Sequence, residues 1–87
     1  MDERRVRLDH IGIAVESLEK GEVFWRLLGL NPSGEDELNI EQGVNIRFLE
    51  STTQSEPPRL ELLEPTDSDT PVGRFIDRRG VGVQQLA

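Results

Sequence analysis

The chain contains a single histidine, His10, set within Leu8-Asp9-His10-Ile11-Gly12-Ile13-Ala14-Val15. An imidazole there can serve as a metal ligand, as a general base, or as a polar side chain at a sheet edge. Other groups invite chemistry less directly. Arg4-Arg5-Arg7 and Arg74-Arg78-Arg79 form two basic clusters that leave a local anion site open. Asp67 and Asp69 are placed as helix-start residues, Arg78 and Arg79 as a solvated helix end, and Glu41 and Gln42 as hairpin residues.

The elements that would position these groups follow from periodicity. Arg7 to Val15 reads as a strand with Ile11, Ile13 and Val15 on one face and His10, Gly12 and Ala14 on the other. The histidine thus shares its face with small residues, where there is room for something else to sit. Ser17 is an N-cap for a helix over about Leu18 to Leu28. Lys20 leaves its capping box incomplete, and Gly29 is its stop. Gly21 inside that helix costs roughly 1 kcal/mol against alanine. Leu18, Glu22, Phe24, Trp25, Leu27 and Leu28 give it a ragged stripe.

Asn31-Pro32-Ser33-Gly34 is a turn cluster. Glu35 to Glu41 is an acidic, weak strand in which Leu38 and Ile40 alternate. Gln42-Gly43 turns it into a stronger strand, Val44 to Glu50. Ser51 to Pro58 is a polar loop, and Arg59 to Leu63 a strand ended by Pro65. Thr70 caps a second helix with Pro71 at its first position; Val72, Phe75 and Ile76 are its apolar face and Gly80 its stop. Val81 to Ala87 begins a further strand that is cut off, which suggests truncation. The order is β-α-β-β-β-α-β, an α+β domain.

Composition narrows the function. The formal net charge of −7, from 17 acidic and 10 basic residues, argues against nucleic acid and anionic membrane surfaces. No apolar run approaches the roughly 20 residues of a membrane span, and the N-terminus lacks the apolar region of a signal peptide. The cytosol is the expected compartment. With 87 residues, no cysteine and 34% hydrophobic residues, the core is thin and a partner surface would relieve it.

Five segments, LDHIGIAVESLEK, FWRLLGL, IEQGVNIRFLES, RLELLEP and DTPVGRFIDRRGVGVQQLA, together resemble the methylmalonyl-CoA epimerase family of the vicinal-oxygen-chelate superfamily. That superfamily also holds glyoxalases, extradiol dioxygenases and bleomycin-resistance proteins. The resemblance implies a single β-α-β-β-β module over residues 1–65 and a connector helix over 66–80. Residues 81–87 would then be the first strand of a second module that is mostly absent. It further implies that His10 and Glu61 bind a divalent metal, and that Gln85 stands where the family's second-module histidine belongs. A ligand set of histidine and oxygen atoms suits Co²⁺, Mn²⁺, Ni²⁺ or Zn²⁺.

The implied reaction is epimerisation of a 2-methylmalonyl thioester, an acyl-CoA ester. The acidified proton between the thioester and the carboxylate is removed and returned on the other face. The groups that move it are not identified by the residues. A homodimer would bring two histidines and two glutamates to one two-fold axis. The alternatives are a non-catalytic truncated module that binds a small ligand or partner, and a glyoxalase-like lyase.

Overall fold

The computed structural model describes residues 10–51 and 59–86, the last two by backbone alone. Eight elements follow one another: β1 (His10–Ala14), α1 (Leu18–Leu27), β2 (Leu30–Pro32), β3 (Glu37–Asn39), β4 (Val44–Ser51), β5 (Arg59–Pro65), α2 (Pro71–Arg79) and β6 (Gly82–Leu86). The strands form one six-stranded sheet in the order β2-β4-β5-β1-β6, with β3 also pairing β4. β1 runs parallel to β5 and antiparallel to β6, so both of its edges are occupied. The Arg4-Arg5-Arg7 cluster, Asp9, Ala87 and most of the expected Ser51–Pro58 loop lie outside the described residues.

The helices cover opposite faces. Ile13 and Val15 of β1 and its extension pack with Leu18, Leu49 and Leu62 beneath α1, joined by Ile11, Trp25, Leu30 and Leu60. Ala14, Val44 and Leu63 pack on the other face under α2 through Val72, Phe75 and Ile76. The period-two split expected for β1 therefore separates two cores. Leu49 and Leu62 are fully buried. At about 25 cal/mol per Å² of apolar surface they are among the most costly positions to truncate.

Both helix starts follow their caps. The Ser17 hydroxyl accepts from the Lys20 amide and the Thr70 hydroxyl from the Gly73 amide, each satisfying a donor the first turn leaves over. Gly29 and Gly80 end the helices at positive φ, +90° and +80°, where a side chain would be strained.

Two expectations change. Asn31 and Pro32, read as a turn, belong to a short strand on the sheet edge, where proline's missing N–H costs no ladder bond. The stripe assigned to α1 is largely outward: Phe24, Leu27 and Leu28 are exposed, and only Leu18 is buried, with Trp25 packed beside it. Gly21 has a positive reason to be glycine, because a Cβ there would lie 2.6 Å from Val15 Cγ1.

Candidate functional site

The sheet register gathers the site. Gly12 of β1 is opposite Glu61 of β5 on one side and Gln85 of β6 on the other. Glu61 is in turn opposite Phe48 of β4. Cross-strand partners share a face, so Phe48, Glu61, Gly12 and Gln85 form one row. His10 lies two residues from Gly12 on the same face. Its Nδ1 is 3.7 Å from Glu61 Oε2, with the two side chains 21% and 17% exposed.

That face is covered by α2 at its Ala14 end, and His10 and Glu61 beyond it are partly exposed. A separation of 3.7 Å is too long for a hydrogen bond. Two ligands bonded at about 2.0–2.2 Å to one cation stand roughly 3 Å apart, so His10 and Glu61 need little adjustment to share one. Among the described residues no group of three or more His, Cys, Asp or Glu side chains could hold a metal ion. His10 and Glu61 are therefore two potential donors on one face.

The remaining candidates stand elsewhere. Glu41 and Gln42 are exposed in the β3–β4 turn, and the Gln42 amide donates to the Asn39 side chain. From Phe48 to Val44 is four residues, about 13 Å of strand, and the turn lies beyond that. The Asp67 carboxylate accepts from the Asp69 amide, and Asp69 pairs with Arg74 at 3.0 Å, so both organise the approach to α2. Arg78 and Arg79 are exposed in the last turn of α2.

Two features are not assigned by the sequence patterns. The first is Phe48, with Ile46, as the apolar flank of Glu61 on β4. The alternation in VNIRFLE pairs these residues with each other. Which face of β5 they meet depends on register across residues 52–58, which no local pattern encodes. The second is Arg47, on the α1 side of the sheet. Its guanidinium donates to Glu22 at 2.9 Å and to both Asp36 oxygens at 2.9 and 2.8 Å. The hydrogen bonds from Arg47 hold the Asp36 carboxyl below the usual carboxylate range, and Asp36 raises the guanidinium in return. This cluster pins α1 and the β2–β3 loop to β4 on the face away from His10.

Comparison with known proteins places these features in a lineage. Residues 9–87 match the model of the glyoxalase/bleomycin resistance protein/dioxygenase superfamily. The chain is 39% identical over 82 residues to the Bacillus subtilis protein YqjC, covering 93% of this chain and 55% of that one. A methylmalonyl-CoA epimerase from Mycobacterium tuberculosis superposes with a TM-score of 0.79 at 34% identity, over 91% of this chain and 51% of that one. A Streptomyces coelicolor methylmalonyl-CoA epimerase variant in complex with 2-nitronate-propionyl-CoA gives 0.78 at 37% identity, over 93% and 58%. The chain spans about half the length of the curated relatives it matches.

Proposed function

The chain belongs to the glyoxalase/bleomycin resistance protein/dioxygenase superfamily, and from that premise we propose that it acts on a 2-methylmalonyl thioester in the manner of methylmalonyl-CoA epimerases. The observation that carries this reading is the His10–Glu61 pair, 3.7 Å apart on one face of the sheet, beside the row of Gly12 and Gln85. His10 and Glu61 would hold a divalent cation (Co²⁺, Mn²⁺, Ni²⁺ or Zn²⁺), with Gln85 as a weak third donor. When bound, the cation supplies positive charge that acidifies the proton between two carbonyl groups and stabilises the enolate.

The chain's own contribution is positional. β1 and β5, hydrogen-bonded in parallel, fix the imidazole and carboxylate side by side. Gly12 keeps the space between β5 and β6 free of a side chain. Phe48, the partner of Glu61, and Ile46 make this part of β4 apolar, and the carboxylate of β4 nearest along the same face is Glu50.

A homodimer that merged two such rows would have to displace β6, because β1 already pairs on both sides. One metal per two chains would support the shared site; one per chain would place it within each module. We place this activity in the cytosol, with an acyl-CoA ester as the ligand.

The test is exchange of the α-proton of methylmalonyl-CoA into deuterated water with added Co²⁺. Exchange that is lost in His10→Ala supports the reading; no exchange in the wild type, or exchange that survives that substitution, refutes it. The apolar β4 flank favours a second reading, a non-catalytic module that binds the thioester without turning it over. Binding without exchange would select it.

A further inference from the structure

Glu61 is opposite Phe48 on the β4–β5 ladder, and two more residues of β4 stand diagonal to it on the same face, Ile46 and Glu50. Ile46 packs against the buried cluster beneath α2. Glu50 is at the other end, on the side of His10. It is partly buried, and its carboxylate makes no hydrogen bond or ion pair among the described residues. We infer that Glu50 is the general base of the reaction, the group that takes the α-proton of the substituted malonyl thioester. The inference rests on the function proposed above and names a catalytic residue of that site.

Register sets the spacing. Diagonal partners on an antiparallel ladder stand about 7–8 Å apart, within reach of long side chains but not in contact through their backbones. Glu50 accordingly does not join His10 and Glu61 as a ligand: among the described residues no three such groups converge on a metal position. A base needs that separation. The α-carbon is bonded to the two carbonyl carbons, one atom removed from the oxygens that a cation would hold, so the group that takes its hydrogen must stand off from the ligands.

The surroundings suit the role. Phe48 offers the carboxylate no hydrogen bond, so its lone pairs remain for a proton. Glu50 also lines a polar cavity of about 290 Å³, together with Ser33, Glu35, Glu37 and Arg59. At roughly 30 Å³ each, several waters fit there, and through them a proton can pass from Glu50 to solvent. Glu35 and Glu37 share that wall but are exposed, and Glu37 is on β3, across β4 from β5.

In the step itself the α C–H bond breaks and an O–H bond forms on Glu50. The electron pair passes to the thioester carbonyl oxygen as an enolate. A water on the opposite face returns a proton to the carbon, and the hydroxide left behind is neutralised by the proton that Glu50 releases.

The experiment follows exchange of the α-proton of methylmalonyl-CoA into deuterated water with Co²⁺ present, for the wild type, Glu50→Gln, Glu50→Ala and Glu35→Gln. General base catalysis contributes about 10²–10⁴-fold, so Glu50→Gln should lower kcat by at least about a hundred-fold. Its KM should stay within about two-fold of the wild type, and its Co²⁺-induced rise in melting temperature should be undiminished. Added formate should restore part of the exchange in Glu50→Ala and leave the wild type unchanged, a rescue that a merely structural carboxylate does not give. Glu35→Gln should exchange within about two-fold of the wild type.

A wild type that exchanges, with Glu50→Gln within about ten-fold of it, overturns the inference and leaves the epimerase reading standing. Loss of the Co²⁺-induced rise in Glu50→Gln also overturns it, since Glu50 would then support the cation site and not the proton. A wild type that binds methylmalonyl-CoA without exchange removes the epimerase reading and the role of Glu50 with it.

Discussion

The imidazole of His10 and the carboxylate of Glu61 are separated by 50 residues of intervening chain and are 3.7 Å apart in space. His10→Ala or Glu61→Ala should remove any Co²⁺-induced rise in melting temperature, which thermal scans with and without Co²⁺ will show. Glu61→Gln keeps one oxygen donor and should retain part of the rise. Arg47 makes a contrasting case, since its bonds are structural. Arg47→Met should cost about 1–3 kcal/mol in denaturant unfolding, because Glu22 is only 12% exposed and loses its principal partner. Asp36 adds a pH dependence. Its folded pKa is depressed, so its contribution is present above the ordinary carboxylate value near 4 and is lost as pH falls through the folded value. The stability gap between wild type and Asp36→Asn, measured by denaturant unfolding, should therefore narrow as pH falls below the ordinary carboxylate range. Of these residues, His10 was visible as a lone histidine on a small-residue face. Its partner in Glu61 needed a family resemblance, because strand pairing is a long-range choice.

At the scale of the elements, close approach explains what propensity does not. Gly21→Ala should stabilise α1 by about 1 kcal/mol on propensity alone. Its Cβ would meet Val15 Cγ1 at 2.6 Å, so overpacking of about 1–3 kcal/mol should reverse the sign. The double variant Gly21→Ala, Val15→Ala should be more stable than the sum of the single changes predicts, and chemical denaturation of the four proteins checks it. At the head of α2, Thr70→Ala should cost about 1 kcal/mol, since its hydroxyl accepts from the Gly73 amide at 3.0 Å. The caps, stops and strong strands were legible because each depends on a few adjacent residues. β2 was not, because an edge strand tolerates Pro32, which local rules assign to a turn. The outward stripe of α1 was misread because Leu27 and Phe24 fit a helical period without saying which arc meets the sheet.

Across the whole molecule, alternation and helix caps fixed an α+β class, whereas strand order came only with the structure. Nothing local in Gly82–Leu86 says that it pairs with β1. That pairing has a consequence for how the protein is made. β1 precedes every other described strand in the sequence, yet its two neighbours are β5 and β6, which follow all the others. During synthesis β1 thus carries unpaired backbone groups until β5 and β6 have been made. Such an edge is a template for misplaced pairing, and contacts this distant in sequence form slowly. The nascent chain should therefore lean on holdase chaperones until β6 closes the sheet.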